Sequence, residues 1–178
     1  MGIIEDLRKH PFCEDDNLLL DTNIWLFTYG TTSHRYQPQA STYNRALNEM
    51  KKNNSHLYIS PPIISEFVNQ FVHVEWQING KQNQNKKSYR NSVEFKPIAQ
   101  EIVFYLKEIL KLADCSDVLI DSGKANHLLN EYEECSLDFN DIIIEDVCKS
   151  NDLTLVTDDR DFKNCPIPVL TANPTLLR

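Results

Sequence analysis

Short apolar runs alternate along this chain with longer stretches of helical period, and that alternation restricts its fold more than any other feature. Leu18-Leu19-Leu20, Leu57-Tyr58-Ile59, Thr154-Leu155-Val156-Thr157 and Pro168-Val169-Leu170 are too short for helices and carry no polar alternation, which suits strands buried on both faces. Between them, Arg45 to Lys52 places Ala46, Leu47 and Met50 at helical spacing. Ser60-Pro61-Pro62 opens a second helix, with Ser60 as N-cap and proline in the first turn. Its stripe of Ile63-Ile64, Phe67-Val68 and Phe71-Val72 faces a core, and it ends before Gly80. A long amphipathic helix runs from Ile98 to Ala113, Val118-Leu119-Ile120 reads as a short buried segment, and helices follow from Lys124 to Glu134 and behind Asp138 as N-cap. The expected fold is α/β, three layers α/β/α around a central, mostly parallel sheet.

At 178 residues the chain suits a single domain, residues 1–178, with a leader at 1–16 and a polar insertion at about 77–97. The insertion is rich in Asn, Gln and Lys and nearly free of aliphatic residues, so a loop or mobile segment is expected there. No internal repeat is visible. No apolar run approaches the roughly 20 residues of a membrane span, and the acidic start Met1-Gly2-Ile3-Ile4-Glu5-Asp6 matches neither a secretory signal nor a myristoylation motif. A cytoplasmic protein is expected. Cys13, Cys115, Cys135, Cys148 and Cys165 are scattered and read as reduced thiols, and His10, His34, His56, His73 and His127 show no zinc-binding spacing.

Acidic residues stand at four element ends: Asp21 behind a strand, Glu66 early in a helix, Asp138 with Asp141 opening another, and Asp159 with Asp161 behind a strand. In a parallel α/β sheet such junctions share one edge, where ligands bind. Two bare carboxylates about 5 Å apart repel by roughly 3 kcal/mol at an effective dielectric near 20, so a converging cluster needs a cation. Oxygen ligands without His or Cys point to Mg²⁺ or Mn²⁺, and such sites neutralise charge developing on a phosphodiester. Each acid also has a structural reading: Asp138 as a helix cap, Asp141 as the acidic member of a capping box, the acids behind strands as turn formers. The joint pattern outweighs each alone.

Leu20-Asp21-Thr22-Asn23, Ser65-Glu66-Phe67, Asp138-Phe139-Asn140-Asp141-Ile142-Ile143 and Leu155-Val156-Thr157-Asp158-Asp159-Arg160-Asp161-Phe162 stand in this order across most of the chain. Together they resemble the PIN-domain nuclease family, including its toxin-antitoxin ribonucleases. The resemblance implies a metal-dependent ribonuclease with Asp21, Glu66, Asp141 and Asp159 as metal-binding catalytic acids, Asp161 an additional metal-binding carboxylate and Asp138 a supporting one. It implies Asn23 and Thr157 as polar residues that orient the acids. Among Asp158, Asp159 and Asp161, Asp159 is favoured because it holds the acidic place of the family's Thr-x-Asp pattern. The implied partners are RNA and, for a toxin, an antitoxin protein whose peptide lies across the acidic groove; a homodimer is an open alternative. The leader and the insertion depart from compact family members and weaken the toxin reading more than the ribonuclease reading.

The net charge of −8 means that nucleic acid must be held locally. Lys81, Lys86, Lys87 and Arg90, interleaved with Trp76 and Tyr89, are candidate RNA contacts, against a plainer reading as a solvated loop. A haloacid-dehalogenase-type phosphatase resembles Asp-x-Asp, but Asn23 fills the second place, and the four glycines are too far apart for a nucleotide-binding loop. A non-catalytic PIN-like scaffold for RNA or protein, and a structure-specific DNA nuclease, remain the alternatives.

Overall fold

In a computed structural model, residues 2–30, 37–83, 85–134 and 137–178 are described, Gln37 and Gln82 by their backbone alone. The strands are β1 (Ile4–Asp6), β2 (Asn17–Leu20), β3 (His56–Ile59), β4 (Asp114–Cys115), β5 (Thr154–Val156) and β6 (Val169–Thr171). They form one sheet in the order β1-β6-β5-β2-β3-β4, and every pairing is parallel rather than most of them. Leu18, Leu19, Leu20, Leu155 and Val156 are at most 1 % exposed, which accounts for their unbroken apolar runs: both faces of these strands are covered.

The crossovers are helical: α1 (Thr22–Tyr29), α2 (Gln37–Lys52), α3 (Pro61–Ile78), α4 (Lys86–Arg90), α5 (Phe95–Ile109), α6 (Ser122–Glu133) and α7 (Phe139–Asn151). They complete the α/β/α layers. Along α3, Ile63, Phe67 and Phe71 recur every fourth residue and are buried, and the helix packs on α1, α5 and α7. Ser60 takes the N-cap place, but its hydroxyl makes no cap hydrogen bond; Pro61 at the first position starts the helix instead. Asp138 does cap α7, its carboxylate accepting from the Asp141 N–H at 2.9 Å.

Three expectations change. The leader is part of the sheet: β1 pairs with β6 from Ile4↔Val169 to Asp6↔Thr171, and Leu7 behind it is buried. Val118-Leu119-Ile120 is not a buried segment, because Leu119 is 80 % exposed; the extra strand is β4, just ahead of it. The apolar triplet misleads because a chain leaving the sheet's edge has no second layer to cover it. The insertion is largely ordered, with a 3₁₀ turn at Lys81–Asn83 and α4. Tyr89 anchors it, 1 % exposed, edge-on to Phe95 at 5.5 Å and taking a hydrogen bond from Asn79.

Among the described residues no helix is long and apolar enough to cross a membrane. Cys13, Cys115, Cys148 and Cys165 are free thiols, and Cys135 and His34 lie outside the described residues.

Candidate active site

The sheet order reverses direction at one place. From β2 the chain proceeds to β3 and β4 on one side, while β5 and β6 lie on the other. The crevice beyond the carboxyl ends of β2 and β5 is therefore the switch point where α/β sheets bind ligands. Register sets what meets there: Leu20 pairs with Val156, so Asp21 and Thr157 emerge side by side, with the Asp21 N–H donating to the Val156 carbonyl at 3.0 Å.

Asp21 is also the N-cap of α1, and its carboxylate is almost fully committed. Oδ1 accepts from the Thr22 N–H at 2.6 Å, and Oδ2 accepts from the Asn23 amide and the Thr157 hydroxyl, each at 2.6 Å. The Thr157 hydroxyl in turn accepts from the Asp159 N–H at 2.9 Å, which fixes the turn behind β5. The Asn23 side-chain oxygen accepts from the Asp158 N–H at 3.2 Å. Glu66 reaches in from α3, where its Oε2 accepts from the Thr22 hydroxyl at 3.0 Å.

These residues surround a cavity of about 150 Å³ walled by Asp21, Glu66, Asp141 and Asp159, with Thr22, Asn23, Leu26 and Gln70 completing the lining. No Lys, Arg or His among the described residues forms an ion pair with any of the four acids. Their titration reflects that. Burial pushes the Asp21 carboxyl up to about 7 against the Thr157 hydrogen bond, with the Glu66 charge adding to the rise. Asp141 is pushed up to about 8 by burial and then by the charges of Asp138, Asp21, Asp159 and Glu66. Glu66 is raised by burial and, more weakly, by Asp138 and Asp159, against the Thr22 hydrogen bond. Four acids with only carboxylate oxygens and no cation of their own fit a hard divalent ion. Among the described residues no three His, Cys, Asp or Glu side chains are drawn into a ready-made ligand cage. Mutual repulsion acts against such closure until a cation is present, and Mg²⁺ needs only one or two direct carboxylates because it keeps several waters.

The other expected residues separate clearly. Asn23 and Thr157 both bond Asp21, whereas Asp138 is exposed at the start of α7 and reaches the cavity by its charge on Glu66 and Asp141. Asp161 departs from the expectation: it is exposed and lines a different groove, with Glu131, Glu145 and Lys149, because it sits in the 3₁₀ turn at Arg160–Asn164, where its N–H rather than its carboxylate meets Asp159, at 3.0 Å. Asp158 points elsewhere too, accepting from the Tyr43 hydroxyl at 2.7 Å. Lys81, Lys86, Lys87 and Arg90 do not reach the cavity. They follow the end of α3, 12 residues and so roughly 18 Å along the axis from Glu66. Lys81 is held by Glu94 at 2.7 Å, and Lys86 sits over the Trp76 ring at 5.9 Å.

Sequence reasoning misses Thr22 and Gln70, which line the cavity, and Tyr43 and Asn173, which hold Asp158 through its carboxylate and its carbonyl. Thr22 stands directly behind Asp21; the other three come from positions whose sequence neighbours carry no motif.

Residues 18–167 match the family model of the PIN domain. The chain belongs to the PIN-domain family. Members of that family are nucleases, and the four acids of the cavity all fall inside the matched PIN segment. Among solved structures, the PIN chain is similar to one in the crystal structure of VapBC2 from Rickettsia felis bound to a DNA fragment from their promoter. That likeness has 19% identity and a TM-score of 0.50, covering 86% of this chain and 97% of that one. PAE2754 from Pyrobaculum aerophilum is similar at 20% identity and a TM-score of 0.50, covering 92% of this chain and 96% of the other. These likenesses show the fold. No curated protein matches the sequence.

Proposed function

We propose that this PIN protein is an endoribonuclease dependent on Mg²⁺ or Mn²⁺, built as a single PIN-like domain, with Asp21, Glu66, Asp141 and Asp159 as its catalytic acids. The observation that carries the reading is the cavity itself: four acids at the switch point, without a protein cation, two of them pushed up to about 7 and 8. Structural ion-pair networks perturb carboxylates too, but they do so downward and with a basic partner in view.

Asp21 behind β2, Glu66 on α3, Asp141 on α7 and Asp159 behind β5 would hold the cation. The cation supplies Lewis-acid stabilisation of negative charge on the phosphodiester when bound. The chain's own part is orientation. Thr157 and Asn23 clamp one oxygen of Asp21, and Thr22 clamps one oxygen of Glu66, so the acids are aimed before substrate arrives. Carboxylates that are ionised in the loaded site also accept hydrogen bonds from water and orient it toward a scissile phosphate.

The likeness to VapBC2 supports one addition: that the nuclease has a protein partner, an antitoxin, whose basic side chain would enter the same cavity. The reading is tested by incubating wild type and Asp21→Asn with mixed structured and single-stranded RNA in Mn²⁺, Mg²⁺ or EDTA, with DNA in parallel. Metal-dependent RNA cuts lost in the variant are expected. Cutting of DNA alone would move the substrate, and metal binding with no cutting at all would make the protein a non-catalytic scaffold.

A further inference from the structure

The grooves along the carboxyl edge of the sheet join end to end. We propose that they form one track for a single strand of nucleic acid, running from the carboxylate cavity to a far end built by the N-terminal leader. This rests on the nuclease reading above.

The continuity is in shared walls. Asn23 and Asp159 line both the carboxylate cavity and an open groove of about 650 Å³ with Asp158, Arg160 and Asn173. Asp158 and Asn173 also line the next groove, about 260 Å³, together with Arg8, Thr42 and Pro174. Arg8 and Thr42 then line a third, about 450 Å³, which holds His10, Phe12 and Arg45. The sequence of grooves follows the sheet itself: Asp21 behind β2, Asp159 and Arg160 behind β5, Asn173 behind β6, Arg8 behind β1. Neighbouring strands lie about 4.8 Å apart, so the three steps from β2 to β1 span about 14 Å, a few nucleotides.

Charge along this path is arranged for an anion despite the acidic total. Most carboxylates beside it are engaged; Glu49 in the third groove stays exposed beside Lys52 at 3.9 Å, and Asp159 belongs to the cavity itself. Asp158 accepts from Tyr43, Asp6 accepts from Arg8 Nε at 2.7 Å and Nη2 at 2.9 Å, and Asp16 accepts from the Cys13 N–H at 2.9 Å and faces His10 Nε2 at 3.1 Å. Arg45 and Arg160 are exposed, and among the described residues neither forms an ion pair. Arg8 is held by Asp6 in a fixed orientation with its side chain half exposed, as a guanidinium poised for a phosphate oxygen is. At the far end His10 and Phe12 stand edge-to-face with centroids 5.0 Å apart, a partly buried aromatic pair of the kind on which a base stacks. Unpaired guanidinium groups followed by an aromatic pair, in line with a phosphodiesterase cavity, match a nucleic-acid strand better than a peptide, whose backbone carries no regular charge. The insertion lysines lie off this line.

The test uses the full chain carrying Asp21→Asn so that substrate survives, with Mg²⁺ present. Binding of a fluorescein-labelled 12-nucleotide RNA, and of the matching DNA, is followed by anisotropy across a salt titration. Arg45→Ala and Arg160→Ala are each expected to weaken binding about fivefold and to lower the slope of log affinity against log salt by about 0.7, while Lys107→Ala on α5 changes neither. Arg45→Lys should restore most of the slope. Crosslinking of 4-thiouridine-bearing RNA is expected within residues 7–16. Unchanged affinity and slope in both arginine variants, crosslinks confined to residues 86–90, or no binding of either strand would overturn the track. If the native chain cuts nothing yet the arginine variants lose binding as stated, the track stands and the nuclease reading falls. If it cuts and the variants bind unchanged, the reverse holds.

Discussion

The Thr157 hydroxyl donates a hydrogen bond to Asp21 across 2.6 Å, joining the end of β5 to the end of β2 at the point where the sheet order reverses. Thr157 is 0 % exposed and Asp21 5 %, so neither exchanges this bond for water. The same hydroxyl accepts from Asn23 at 3.2 Å and from the Asp159 N–H at 2.9 Å. One oxygen atom thus positions two of the four acids.

Replacing that hydroxyl separates orientation from charge. Thr157→Val keeps the shape and removes the donor, so metal-dependent cleavage should fall about 10- to 100-fold, the range usual for loss of a supporting partner. Thr157→Ser should keep most activity. Cleavage rates at saturating Mn²⁺, with folding followed by circular dichroism, read the difference; equal rates for the two variants would remove Thr157 from the site.

The raised carboxyls set a pH dependence of the metal-free protein. An unfolded aspartate has its ordinary value of 3.8, whereas Asp21 and Asp141 are pushed up to about 7 and about 8 when folded. The folded state therefore binds these protons more tightly. The stability they contribute is complete below about pH 4 and is lost as pH rises through about 7 to 8. Melting temperatures in EDTA should decline from pH 5 to pH 8, and Asp141→Asn should flatten the decline. A curve for the variant that parallels wild type would show that Asp141 is not the source.

Metal should reverse that decline. A cation that binds only the folded state stabilises it by mass action, about 2.7 kcal/mol at a concentration 100 times its dissociation constant. Addition of Mn²⁺ or Mg²⁺ at pH 8 should raise the melting temperature of wild type and have far less effect on Asp21→Asn. The variant should itself melt higher than wild type in EDTA, since it removes a buried charge with no cationic partner. Lower stability of Asp21→Asn in EDTA would mean that its hydrogen bonds outweigh its charge.

Tyr43 anchors the other side of the same loop. Its hydroxyl donates to Asp158 at 2.7 Å and accepts from the Ala172 N–H at 3.0 Å. Tyr43→Phe leaves a half-buried carboxylate and a backbone N–H short of a partner, which should lower stability by about 1–3 kcal/mol in urea titrations. Cleavage should fall less than tenfold, because Asp158 is not among the four acids. A fall as large as that of Asp21→Asn would place Asp158 in the chemistry.

The inner strands and α3 were legible because burial on both faces, or along one stripe, leaves a pattern that no other environment requires: three leucines before Asp21, apolar pairs every fourth residue from Ile63. The acids were legible through order along the chain. The edge was not. Ile4-Glu5-Asp6 is a strand with an exposed central residue and no apolar run, and it forms because β6 offers a ladder, a tertiary cause absent from its own residues. Val118-Leu119-Ile120 failed in the opposite sense, an apolar run that the fold leaves uncovered. Tyr43 and Asn173 are 130 residues apart and meet around Asp158, and nothing local announces such a meeting.

Both margins of the sheet are short. β1 has three residues and β4 only two, so few backbone groups are left open on either side. A flanking chain has almost nothing to zip onto, which disfavours both runaway strand-to-strand aggregation and recruitment of a companion by adding a seventh strand. Whatever assembles with this protein must grip it through helical surfaces or through the loops over the carboxyl edge, and the helical surfaces can diverge in evolution without disturbing the ladder that aims the acids.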